Sequence, residues 1–141
     1  MSDLVIDASL TLQWFLEDEI GREYSLAVLQ TLPGRRAFVP PLYFYEVGNG
    51  LIMAYRRKRI TSEQVFGFLV RLKELPIEVG SQTPMDVLGL PEIAMARGLT
   101  TYDASYLDLA VRLQLPLATT DRALRAAAES AGVSVVAPLV E

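Results

Sequence analysis

Five short strand-like runs, separated by longer amphipathic stretches, constrain this chain more than any other feature. They are Leu4–Ile6, Ala37–Val39, Ile77–Val79, 117–119 and 134–137. Runs this short, closed by Asp, Pro or Gly, suit buried strands, since a helix of so few residues could not sustain itself. Between them, apolar residues recur at helical spacing. The pattern predicts helices over 10–16, 20–32, 42–57, 61–75, 84–97, 103–114 and 121–131. Strands alternating with helices imply an α/β domain with a short, mainly parallel sheet. The 141 residues fit one domain, taken as 1–141.

Local signals support these boundaries. Thr61 with Gln64 has the spacing of a capping box, and Pro84 after Thr83 takes the favoured first helical position. Pro33-Gly34, Arg97-Gly98 and Ala131-Gly132 read as helix stops. Pro91 falls inside the helix predicted from Pro84, where a lost backbone hydrogen bond and a ring clash predict a kink or break. In the helix after Pro40-Pro41, Phe44, Val47, Gly48, Leu51, Ile52 and Tyr55 form the expected inward stripe. Trp14 and Phe15 read as core.

The chain contains no histidine and no cysteine. This excludes disulfides, thiol chemistry, zinc ribbons and imidazole acid–base catalysis, and makes the cytoplasm the default location. No apolar stretch reaches the ~20 residues of a membrane span, and the acid at Asp3 with no preceding basic residue is unlike a secretory signal. The formal charge of −4 argues against a dedicated nucleic-acid coat, though carboxylates that hold cations count as negative until the cation arrives.

Chemistry therefore rests on oxygen ligands. Asp7 in LVIDAS, Asp103 in TTYDASYLDLA and Asp121 in LATTDRAL each stand at a helix start, and Asp7 and Asp121 directly follow strands. In parallel sheets, ligands collect at the carboxyl ends of the strands. Each Asp also has an ordinary explanation as an N-cap, with Ser9 an alternative cap to Asp7. Glu46 differs. It lies in YEVGN among Phe44, Tyr45 and Val47, with no cationic side chain within a helical turn. Two readings compete for it: reach to solvent, or pairing with a cation. Four acids gathered at one edge would repel one another, and Mg²⁺ or Mn²⁺ would relieve this. With no imidazole to drive attack by a ribose 2′-hydroxyl, a metal-activated water is the expected nucleophile for a phosphodiester, leaving a 5′-phosphate and a 3′-hydroxyl.

Ser9, Asn49 and Thr120 are candidate supporting polar residues. The basic run Arg56, Arg57, Lys58 and Arg59 reads either as a helix C-terminus favoured by the dipole or as a phosphate contact for RNA; Arg35 and Arg36 form a second basic pair. Glu17-Asp18-Glu19 reads as a solvated acidic turn.

In order and context, VIDASL, PPLYFYEVGNGL, LTTYDASYLDLA and LPLATTDRAL resemble the motifs of PIN-domain nucleases, particularly the VapC-type toxins of toxin–antitoxin pairs. The resemblance covers nearly the whole chain. It implies a three-layer α/β/α sandwich and an Mg²⁺- or Mn²⁺-dependent endoribonuclease, with Asp7, Glu46, Asp103 and Asp121 as catalytic, metal-holding acids. It further implies a homodimer and a small VapB-like antitoxin whose tail crosses the groove. Competing readings are a PIN-type nuclease acting on structured DNA, a catalytically weak scaffold acting through its antitoxin, and an aspartyl phosphotransferase. The last is disfavoured because no second Asp stands two residues after Asp7.

Overall fold

The structure, a computed structural model, describes residues 2–137. Its elements run β1 (Leu4–Ile6), α1 (Ala8–Phe15), α2 (Arg22–Gln30), β2 (Ala37–Val39), α3 (Leu42–Arg56), α4 (Ser62–Lys73), β3 (Ile77–Val79), α5 (Pro84–Arg97), α6 (Thr101–Leu113), β4 (Leu117–Ala118) and α7 (Arg122–Ser130). The four strands form one parallel sheet in the order β3-β2-β1-β4. Leu4, Val5 and Ile6 are all 0% exposed. Successive strand side chains point to opposite faces, so burial of all three means that helices cover both. The architecture is α/β/α. The fifth predicted strand, 134–137, is reduced to a single bridge between Val135 and Leu117.

The strand order matters more for function than the strand count. From β1 the chain adds β2 and β3 on one side, then returns to place β4 on the other side of β1. Connections leaving β1 and β4 therefore diverge, opening a crevice beyond their carboxyl ends. Asp7 follows β1 directly, and Thr119, Thr120 and Asp121 follow β4.

Leucine side chains pack directly on glycine backbone around this edge. A Cβ on Gly50 of α3 would run into the Leu12 side chain of α1, and one on Gly80, just after β3, into the fully buried Leu109 side chain of α6, so a larger residue at either place would force that leucine to shift.

Several sequence expectations need correction. Helix α5 does not break at Pro91 but runs through it. Burial of Leu90 and Ala94 against Ala104 of α6 holds the helix on both sides of the proline, while the exposed outer face lets water take the carbonyl that Pro91 cannot serve. In α3 the buried stripe is Tyr43, Val47, Leu51 and Ala54; Phe44, Ile52 and Tyr55 are exposed. Trp14 and Phe15 are core as expected, with Trp14 Nε1 donating to the Ser25 carbonyl at 2.7 Å. The capping boxes Thr61/Gln64 and Thr83/Asp86 both form.

Pro91→Ala is expected to stabilise the protein by about 2 kcal/mol. Relief of ~3 kcal/mol of helix-interior penalty exceeds the ~1 kcal/mol by which proline restrains the unfolded chain. The midpoint of urea unfolding reports this. An unchanged midpoint would mean that α5 is already adapted to the ring.

Candidate active site

Asp7 is the N-cap of α1 and is only 4% exposed. Its Oδ1 accepts from Leu10 N at 2.9 Å and from Ser9 Oγ at 3.0 Å. Its Oδ2 accepts from Thr119 Oγ1. Capping and a functional role are thus not alternatives here: the cap orients the carboxylate. Ser9 supports Asp7 rather than replacing it as the cap. Because the Ser9 proton goes to Asp7, the 3.2 Å contact between Ser9 and Thr120 has Thr120 as donor.

Thr119 is the residue that the sequence reading passed over in favour of Thr120. It is 0% exposed, and its Oγ1 accepts the Asp121 backbone N–H at 3.0 Å. Its own proton is thereby directed to Asp7, linking the ends of β1 and β4 through one hydroxyl. The available signal was its place as the last inward residue of the β4 run, immediately before Thr120-Asp121. Arg125 Nη2 donates to the Thr119 carbonyl at 3.1 Å and lies over the Tyr24 ring, 5.4 Å from its centroid. Thr119→Val removes the donor to Asp7 and the acceptor for Asp121 while conserving shape. A loss of about 1–3 kcal/mol in stability is expected from the polar groups left unpaired. Urea unfolding of metal-free protein checks this, and no loss would show that Thr119 does not hold Asp7.

Asp121 caps α7 as predicted, accepting from Leu124 N at 2.9 Å. Asp103 does not cap α6. Thr100 does, accepting from Asp103 N at 3.0 Å. The Asp103 carboxylate is thereby released from capping and stands half-buried on the first turn. Glu46 neither reaches solvent freely nor lies wholly buried. It is half-buried and accepts from Tyr106 Oη at 2.6 Å, a partner unforeseen because it is distant in sequence.

Electrostatics connect the four acids. Burial pushes the Asp7 carboxyl up to about 6; its three hydrogen-bond donors oppose this, and the Asp103 charge adds to it. Burial also raises Glu46, against the Tyr106 hydrogen bond and with the Asp103 charge. Asp103 is itself raised by burial and then by the charge of Asp121. Asp103 is the common neighbour of the other three.

Among the described residues no three acids close on one point as a finished cage for an ion. The expected convergence is therefore an open cluster. Its chemistry fits a hard cation: every donor is oxygen, and the charges are partly desolvated beside one another. Mg²⁺ ordinarily keeps several waters and takes only one or two carboxylates, so an open cluster meets its needs.

The other candidates fall elsewhere. Asn49 is exposed, and among the described residues its side chain makes no hydrogen bond to Glu46. The basic run lies at the far end of α3, about 15 Å along the helix from Glu46 at 1.5 Å per residue. Within it, Arg59 pairs with Asp18 at 2.6 Å and Glu19 at 3.3 Å, so the acidic turn is tied down rather than merely solvated. Arg56, Arg57 and Lys58 are exposed and carry no ion pair among the described residues. The pair at 35–36 is structural: Arg35 is buried and binds Thr31 and the Ser2 carbonyl, and Arg36 pairs with Asp3.

An α/β/α fold with acids gathered at the switch point of a four-stranded parallel sheet defines the class. A PIN domain profile matches residues 4–130, and the chain belongs to the PIN domain family. More particularly, it is 30% identical over 125 residues to Ribonuclease VapC3 of Pyrobaculum aerophilum, covering 86% of this chain and 91% of that protein. Among solved structures it is similar to PAE2754 from Pyrobaculum aerophilum, at 25% identity and a TM-score of 0.64 over 89% of this chain and 84% of that one. FitAcB from Neisseria gonorrhoeae shares the fold at 16% identity, with a TM-score of 0.63 over 98% of each chain. VapBC2 from Rickettsia felis, solved bound to a DNA fragment from its promoter, does so at 12% identity, with a TM-score of 0.65 over 96% of this chain and 98% of that one.

Proposed function

We propose that this chain is an Mg²⁺- or Mn²⁺-dependent endoribonuclease of the VapC type, the toxin of a toxin–antitoxin pair. The observation that carries the reading is the Asp7–Thr119–Asp121 link across the ends of β1 and β4, beside Asp103 and Glu46. The similarity to a protein named Ribonuclease VapC3 supports it. Asp7 and Asp103 are the principal candidates to hold the ion, with Glu46 and Asp121 completing the cluster. When bound, Mg²⁺ or Mn²⁺ offsets the carboxylate charges and supplies the acidity that makes water a nucleophile at neutral pH.

The chain's own residues set the geometry. Leu10 N, Ser9 and Thr119 hold both oxygens of Asp7 against rotation, so the carboxylate is in place before substrate arrives. Asp103, freed from capping, offers its charge to the crevice. Product release leaves a 5′-phosphate and a 3′-hydroxyl.

The enzyme works in the cytoplasm. It pairs with a second copy and is restrained by a small antitoxin. Exposed Tyr45, Phe66, Met85, Leu88 and Met95 supply apolar surface for such partners. Among the described residues no helix is long and apolar enough to cross a membrane.

The direct test incubates cellular RNA with purified protein in Mn²⁺, Mg²⁺ or EDTA and maps the cut ends. Discrete metal-dependent cuts with 5′-phosphates support the reading, and 2′,3′-cyclic phosphates would contradict it. Arg56, Arg57 and Lys58 are exposed enough to follow the RNA backbone. Replacing all three with Gln is expected to reduce the salt slope of single-strand binding by up to about 2, at ~0.7 per phosphate contact. A fluorescence-anisotropy titration in rising KCl measures this, and an unchanged slope would place the RNA elsewhere.

A further inference from the structure

Tyr106 is 1% exposed and stands three residues after Asp103, on the same face of α6. Its Oη donates to Glu46 Oε1 of α3 at 2.6 Å. An ionised Glu46 can only accept, so the phenol proton is committed to it. No buried side-chain polar atom among the described residues lacks a partner. If Glu46 turned Oε1 away, the buried hydroxyl would lose that balance. Tyr106 thus joins α3 and α6 at a single hydroxyl and takes one lone pair of Glu46 Oε1.

We infer that Tyr106 is a positioning residue for cation choice: its hydroxyl takes one lone pair of Glu46 Oε1 and fixes the carboxylate's orientation, so the group meets an ion through Oε2 more readily than through both oxygens and the cluster favours a small divalent cation over a large one. This rests on the reading of the cluster as an Mg²⁺ or Mn²⁺ site. Ca²⁺ accepts six to eight oxygens at ~2.3–2.6 Å and readily takes a carboxylate through both of its oxygens, whereas Mg²⁺ requires near-octahedral single-oxygen contacts at ~2.0–2.1 Å. A glutamate held by a phenol at Oε1 offers single-oxygen contact through Oε2 as it stands, and must turn against the Tyr106 hydrogen bond to present both oxygens. The sequence distance of 60 between Glu46 and Tyr106 hides this pairing from any local motif.

Calorimetric titration of wild type and Tyr106→Phe with Mn²⁺ and, separately, Ca²⁺ tests the inference. Loss of the hydroxyl is expected to weaken Mn²⁺ binding by roughly tenfold, the size typical of groups that orient a ligand, while Ca²⁺ binding holds or improves. A loosened fold would weaken both ions together. An unchanged Mn²⁺/Ca²⁺ ratio therefore overturns the inference even if both affinities fall. Crystals of the wild-type protein soaked in Mn²⁺ give a second readout that does not depend on how the variant folds. Oε1 still on Tyr106, with Oε2 toward the ion, supports the inference; Oε1 swung onto the ion overturns it. Wild-type protein that binds neither ion would instead overturn the nuclease reading and this inference with it. Wild-type binding of Mn²⁺ with an unchanged ratio in the variant sinks this inference alone.

Discussion

Asp7→Asn should abolish RNA cleavage, by at least about 1000-fold, equivalent to ~4 kcal/mol of transition-state stabilisation. The substitution exchanges one oxygen for nitrogen at a nearly fully buried position. The remaining carbonyl oxygen can still accept from Leu10 N and Ser9, so α1 keeps its cap. What disappears is the negative charge at the end of β1, the charge on which a divalent cation and a polarised water would both depend. Gel-based cleavage rates at saturating Mn²⁺ measure the effect, alongside circular dichroism to establish the fold. A folded variant that retains more than about a tenth of the wild-type rate, a deficit below ~1.4 kcal/mol, would remove Asp7 from the mechanism.

In EDTA the same substitution should gain stability relative to wild type as the pH rises from 4 to 8, the opposite of what it does to activity. Burial raises the Asp7 pKa from 3.8 to about 6. Between those values the folded protein retains a proton that the unfolded chain has lost. The group's stabilising contribution is therefore fully present below pH 4 and is lost as pH rises through 6. At ~1.4 kcal/mol per pK unit the loss amounts to about 3 kcal/mol at pH 8. The raised Glu46 and Asp103 add to it in the same direction. Asparagine resembles the protonated carboxyl and carries no charge penalty, but its amide replaces the oxygen that accepts from Thr119, at a cost of about 1–3 kcal/mol at every pH. Metal-free Asp7→Asn should then melt at or a few degrees above wild type at pH 8 and below it at pH 4, a relative gain of about 3 kcal/mol across that range. Adding Mn²⁺ should raise the wild-type melting point by mass action and leave the variant nearly unmoved. Thermal melts across pH 4–8, with and without EDTA, decide the matter. A difference between variant and wild type that stays constant across pH 4–8 in EDTA would mean that Asp7 is ionised there at no cost, contrary to its burial.

The two expectations describe one arrangement. A carboxylate kept where it is strained without a cation binds that cation more strongly than a solvated one would, and the fold supplies the strain by burying Asp7 at the end of β1, while Leu10 N, Ser9 and Thr119 relieve part of it. The open cluster follows the same logic, since a closed cage of three acids would be still less stable when empty.

Much of this protein was legible in its residues. Alternating short strands and amphipathic helices pointed to a parallel α/β domain, and β1, β2 and β3 lie where the apolar runs placed them. The capping box at Thr61, the helix start at Thr83-Pro84 and the cap at Asp121 were readable because they depend on close neighbours in sequence. The absence of His and Cys reduced the plausible chemistry to oxygen ligands before any fold was considered. Local rules misplaced what distant partners decide. Thr100, not Asp103, caps α6 because cap choice turns on one residue's backbone angles, and α5 survives Pro91 because α6 packs against it. The outward turn of Phe44, Ile52 and Tyr55 reflects which neighbours α3 meets, which periodicity does not specify. Sequence by itself determined the inventory: which acids exist, which follow strands, and that no imidazole or thiol is available. Only the tertiary structure decided their company. The order β3-β2-β1-β4 puts Asp7 beside Thr119 and Asp121, and α3 packing places Glu46 against Tyr106. The reason is physical: hydrogen bonds between residues 60 to 112 positions apart are set by strand order and helix packing, and neither is encoded within any single stretch of chain.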